Sequence, residues 1–142
     1  MKKRITIVTV LALVLACAML FAACTPASNP DTAKENLEKK GYTVSVDFPI
    51  GPTALSVLGI TGVKKVVQAV YSDDESYEYV CIIYFSSPSD VKEAIDKVKS
   101  YASDQEKDKE KDSKDKEESD WTVGKSGKMI WFGTKNAVKA AA

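Results

Sequence analysis

The sequence predicts an α+β domain: a mostly antiparallel sheet of about five strands, with helices packed on one face, behind an N-terminal apolar segment. Three observations carry this. Strand-like apolar runs recur along the chain, and two pairs of them are joined by short polar or glycine-bearing turns, as hairpins are. Between and around them stand segments with helix caps and three- and four-residue apolar spacing. Hairpins and unequal spacing of the elements favour antiparallel pairing over a βαβ arrangement.

The elements follow in order. Asn29 is placed to cap a helix that Pro30 opens at its first position and that runs to about Lys40. Ala33 and Leu37 give it a narrow apolar stripe, and Gly41 fits the left-handed residue that ends it. From Tyr42 to Phe48 the chain alternates: Tyr42, Val44, Val46 and Phe48 share one side, Thr43, Ser45 and Asp47 the other. Residues 49–62 are punctuated by Gly51, Pro52, Gly59 and Gly62, and Ala54 to Leu58 reads as a short helix or a buried loop.

Val63–Ser72 and Ser76–Phe85 read as two strands around a turn at Asp73-Asp74-Glu75. The second is apolar on both sides, which suits the centre of a sheet. Ser87-Pro88-Ser89-Asp90 begins the best helix: serine cap, proline at the first position, and an acid three residues after the cap. Val91, Ala94, Ile95, Val98, Tyr101 and Ala102 form its core-facing stripe. Trp121–Val123 and Lys128–Phe132 read as the arms of a hairpin turning at Gly124–Gly127. Thr134 then caps a last alanine-rich helix, Lys135 to about Ala141.

Residues 103–120 contain no apolar side chain, but nine acids and five lysines. Such a segment buries too little apolar surface to offset its ordering entropy. It reads as a charged disordered insert or as a solvated continuation of the preceding helix. Calcium binding needs a defined loop of spaced oxygen ligands with a turn glycine, and this segment has no glycine.

The N-terminus indicates location. Lys2, Lys3 and Arg4 precede the apolar run Ile5–Phe21, then come Ala22, Ala23 and Cys24, and the chain turns polar at Thr25. This is the charged, apolar, small-residue order of a secretory signal. An uncleaved span has enough residues, since about 20 cross a bilayer, and an ordinary cleaved signal has the same order. The small residues immediately before a cysteine favour a third reading. Leu20-Phe21-Ala22-Ala23-Cys24 resembles the lipobox of bacterial lipoproteins, with Phe21 where leucine is usual. That resemblance implies that Cys24 carries a diacylglycerol thioether and becomes the first residue after cleavage. Cys17 is the competing site, but cleavage there leaves an apolar stub. The domain is also similar to small cell-surface lipoproteins of low-GC Gram-positive bacteria with no assigned role, through this lipobox and the terminal Trp131-Phe132-Gly133-Thr134 pattern. The expected organisation is a signal peptide at 1–23, a tether at 24–30 and a single domain at 31–142. The expected location is the outer face of the cell membrane, with palmitate-type lipid as the membrane contact.

Composition narrows the chemistry. Without residues 1–23 the chain has 119 residues, 17 basic and 20 acidic, a balance that does not attract nucleic acid. Of three cysteines only Cys81 lies in the domain, so no internal disulfide is expected, and its apolar surroundings suit a core thiol. The absence of histidine removes Ser-His-Asp triads, Cys-His pairs and histidine zinc sites. Gly124-Lys125-Ser126 imitates the end of a phosphate-binding loop, but position 119 is serine where that loop needs glycine. Strand aromatics remain: Tyr77, Tyr79, Trp121 and Trp131 are candidates for a face that stacks on a glycan or anchors an envelope protein, although aromatics are also ordinary core. The expectation is a non-enzymatic, lipid-anchored interaction module, with no cofactor, metal or catalytic residue assigned. The alternatives are an envelope hydrolase working through paired carboxylates and an accessory subunit of a membrane complex.

Overall fold

The computed structural model describes residues 25–112 and 120–142. Its elements are α1 (Pro30–Lys39), β1 (Thr43–Val46), α2 (Pro52–Val57), β2 (Val63–Ser72), β3 (Tyr77–Phe85), α3 (Pro88–Asp112), β4 (Trp121–Ser126), β5 (Met129–Thr134) and α4 (Lys135–Ala140). The five strands form one antiparallel sheet in the order β1-β2-β3-β5-β4, so the fold is α+β. The signal segment and Cys24 lie outside the described residues. So does 113–119 of the charged insert, whose first part continues α3 as far as Asp112.

The helices cover both faces of the sheet rather than one. On one face Ala33 and Leu37 of α1 and Ala137, Val138 and Ala140 of α4 pack on Val67, Ala69, Val80, Ile82 and Trp131. On the other, Leu55 of α2 and Val91, Ala94, Val98 and Ala102 of α3 pack on Val66, Cys81, Ile83, Ile130 and Phe132. The cause lies in β3 and β5. Both alternate between two apolar sets, and each set loses favourable free energy unless it leaves water, at roughly 25 cal/mol per Å². A sheet with such a centre needs two covers.

The caps act as expected at two helices. Asn29 Oδ1 accepts from the Asp31 N–H at 2.9 Å. Ser87 Oγ accepts from the Asp90 N–H at 3.3 Å and donates to Asp90 Oδ2 at 2.9 Å. At α4 the outcome differs. Thr134 is the N-cap residue, but its side chain makes no cap bond. Its buried hydroxyl instead accepts from the Tyr79 N–H at 3.1 Å and donates to the Tyr79 carbonyl at 3.3 Å.

Two strand ends also differ. β1 stops at Val46 because Asp47 turns into the left-handed region, φ 56°. Its carboxylate accepts from the Val66 N–H at 2.8 Å. Phe48, predicted to continue the apolar side, is thrown outward and is 74 % exposed. The segment after it is settled as a short helix, α2. The second hairpin turns at Gly127 and Lys128 rather than at Gly124–Gly127. Gly124 stays in the strand because the Trp131 indole occupies the space a Cβ would need.

Candidate functional site

The four aromatic candidates do not make one open face. Tyr77, Tyr79 and Trp121 lie on the sheet face under α3, and Trp131 lies on the opposite face. Tyr79 is buried, and the Trp121 ring stacks on it with centroids 5.7 Å apart. Trp121 also lies parallel to Phe132, at 6.5 Å. Burial pushes the Tyr79 phenol far up, and its hydroxyl donates to Gln68 Oε1 at 3.2 Å. The hollow beside Trp121, between Ala102, Glu106 and Thr122, is about 120 Å³. That is room for about four waters at ~30 Å³ each. Cys81 sits under the same layer, fully buried, and burial raises its thiol to about 12. It stays protonated at neutral pH and out of reach of reagents.

A larger cleft, about 630 Å³, opens at one end of the sheet. Antiparallel register brings its parts together: the start of β2, the end of β3 and the start of β5 meet there, since Val63 faces Phe85 and Tyr84 faces Met129. Tyr84 and Met129, which share one face of the sheet, give it an apolar floor, and Ser28 and Pro30 of the N-terminal segment close one side. The Tyr84 hydroxyl donates to the Ala27 carbonyl at 2.8 Å, which holds that segment against the sheet. Burial pushes the Tyr84 phenol up, so it stays a neutral donor. The Phe85 N–H donates to the Lys128 carbonyl at 2.7 Å and fixes the β4–β5 turn over the opening.

The rim is basic. Lys64, Lys65 and Lys128 line the cleft, and no carboxylate does. A register shift between Val63 and Lys65 breaks the regular ladder at the two adjacent lysines; such bulges re-aim side chains. Across the β4–β5 turn a second hollow of about 280 Å³ is lined by Pro88, Val91, Lys92, Lys125, Ser126 and Gly127, again without a carboxylate. The N-terminus of α3 meets it, and a helix start carries partial positive charge. The volume of the larger cleft lies within the ordinary range for small-molecule sites, about 300–1,000 Å³. Its chemistry suits a group with an anionic head and an apolar body. The carboxylate pair that a hydrolase would use is not in this lining. Among the described residues, no group of three acids or cysteines is placed to hold a metal ion.

The opposite end of the sheet is acidic. Asp73, Asp74 and Glu75 form the β2–β3 turn. Asp73 Oδ1 accepts from the Ser76 N–H at 2.6 Å and the Glu75 N–H at 2.8 Å, and Oδ2 accepts from the Tyr71 hydroxyl at 2.9 Å. These bonds, the Ser76 N–H first, lower the Asp73 carboxyl to about 2. A carboxyl lowered by folding stabilises the fold above its unfolded value, and that support is lost as pH falls through the folded value. Asp73→Ala is therefore expected to melt below the wild type at pH 5, with the gap closing between pH 4 and pH 2. Thermal melts across that range check it; a gap that does not change with pH would contradict it.

The cleft was missed in the sequence, where Lys64, Lys65 and Lys128 were read only as parts of strands. The one signal was the adjacent pair Lys64-Lys65 opening a strand. The chain matches no protein-family model, no curated protein and no solved structure. Among the described residues, no helix is long and apolar enough to cross a membrane.

Proposed function

We propose that this chain is a lipid-anchored extracytoplasmic lipoprotein of the small Gram-positive type, acting as a non-enzymatic binding module. The observation that carries the reading is the order of residues 1–24: positive start, apolar run, two alanines and Cys24, followed at once by polar chain. Two acyl chains on one residue suffice for stable anchoring, at about 0.8 kcal/mol per buried methylene. The described domain then needs no spanning helix. The 630 Å³ cleft is lined by Ser28 and Pro30, four and six residues beyond the proposed lipid site, so a ligand held there would be met close to the membrane.

Metabolic labelling with an alkyne fatty acid tests the anchor. The wild-type protein is expected to label and to fractionate with membranes. Cys24→Ser is expected to lose the label completely, while Cys17→Ser keeps it. Undiminished labelling of Cys24→Ser would refute the anchor.

A further inference from the structure

We infer that the lysine-bearing end of the sheet docks on acidic phospholipid headgroups of the leaflet that holds the anchor, and so fixes the orientation of the domain. The inference deepens the lipoprotein reading and rests on it for the position of the membrane. Its occupant is an anionic bilayer surface, phosphatidylglycerol being the simplest example.

Three observations carry it. The first is charge: Lys64, Lys65 and Lys128 rim one hollow, Lys92 and Lys125 the other, and neither lining holds a carboxylate. A lysine near an anionic surface contributes about 1 kcal/mol. The acids beside this end, Asp31, Asp47, Asp90 and Glu93, carry charge of the opposite sign but stand outside both linings. The second is reach. Ser28 lines the cleft, and the four residues from Cys24 to Ser28 extend at most about 14 Å. The lipid-bearing sulfur and the lysines therefore lie within one membrane-contact radius. The third is polarity along the sheet. The nine residues of β3 separate the lysine end from the Asp73–Glu75 turn. At about 3.3 Å per residue that is roughly 30 Å. The Debye length in physiological salt is about 8 Å. The membrane is thus attracted by one end and blind to the acids of the other, even though the domain as a whole is slightly acidic. The apolar floor of Tyr84 and Met129 suits the glycerol region of a lipid whose phosphate sits among the rim lysines.

The test uses the full protein recovered from membranes and reconstituted into vesicles. One set is phosphatidylcholine alone, the other phosphatidylcholine with phosphatidylglycerol. A polarity-sensitive fluorophore is placed on Ser126→Cys, between the two hollows, or on Asp74→Cys at the far end. Cys81 is fully buried and stays unlabelled. The expected result is that iodide quenching at position 126 falls at least twofold when phosphatidylglycerol is present, and that quenching at position 74 does not change. A variant with Lys64→Glu, Lys125→Glu and Lys128→Glu, all three exposed in the wild type, is expected to abolish the difference at 126.

Flotation of the vesicles reads the anchor separately. Protein that floats with both vesicle types but shows equal quenching at 126 overturns the docking and leaves the anchor standing. Protein that floats only with phosphatidylglycerol, with 126 protected, supports the docking and removes the anchor. Protection at 126 by soluble poly(glycerol phosphate), with none from phosphatidylglycerol, overturns the docking in favour of a wall polymer.

Discussion

Gly133→Ala is expected to cost the domain about 4 kcal/mol or more, a large share of the roughly 5–15 kcal/mol by which such domains are stable. Gly133 sits at φ 145°, a region essentially reserved for glycine, where strain alone costs about 1–3 kcal/mol. The added methyl would also drive into the Tyr79 carbonyl and the Val80 Cα. Both are backbone atoms of the central strand, so relief requires β3 and β5 to part. That parting would also break the two bonds that Thr134 makes to Tyr79. Gly127→Ala supplies the contrast. Gly127 has φ 55°, but nothing lies within 4 Å of its missing Cβ, so its cost is local strain of about 1–2 kcal/mol. Urea unfolding of both variants checks the prediction. Similar midpoints for the two would show that the close approach of β3 and β5 does not govern stability.

Phe132→Ala is expected to be the next most damaging change, at roughly 3–5 kcal/mol. Its side chain has no exposed surface. The ring meets Tyr101 edge-on at 5.8 Å, Tyr79 at 6.3 Å and Trp121 at 6.5 Å. Removing it leaves a cavity walled by three aromatic rings, which are too rigid to collapse into it. Phe132→Leu should recover about half the loss, because most of the volume returns while the ring contacts do not. Urea midpoints at unchanged slope would measure both, and a loss below about 1 kcal/mol for the alanine variant would contradict the packing described.

Much of the fold was legible because its signals are local. The β2 and β3 boundaries, the Asn29 and Ser87 caps and the apolar stripe of α3 each depend on neighbouring residues only. The two-sided cover was available in the sequence too, although the helices were expected on one face only. Tyr79, Cys81 and Ile83 on one side of β3, with Val80, Ile82 and Tyr84 on the other, demand apolar partners above and below. The Ala33–Leu37 stripe and the alanines of the last helix were available to supply the second layer. The errors arose where a residue serves a distant neighbour. Gly124 reads as a turn until the Trp131 ring is placed against it. Asp47 reads as the wet side of a strand until the Val66 N–H is found within its reach. Thr134 reads as a cap until the Tyr79 backbone claims its hydroxyl. The lysine-rimmed cleft is of the same kind: segments near residues 28, 64, 84 and 127 share a wall only after the sheet is assembled in its order.

The early stop of β1 has a consequence for the behaviour of many copies together. A border of four residues offers an incoming chain too few rungs to build a lasting cross-molecule ladder. The kink at Asp47 ends that border with the Asp47 carboxylate turned back onto the Val66 N–H. Fibril growth from this side of the native protein is thereby denied a template, so molecules concentrated side by side stay separate until the fold itself opens.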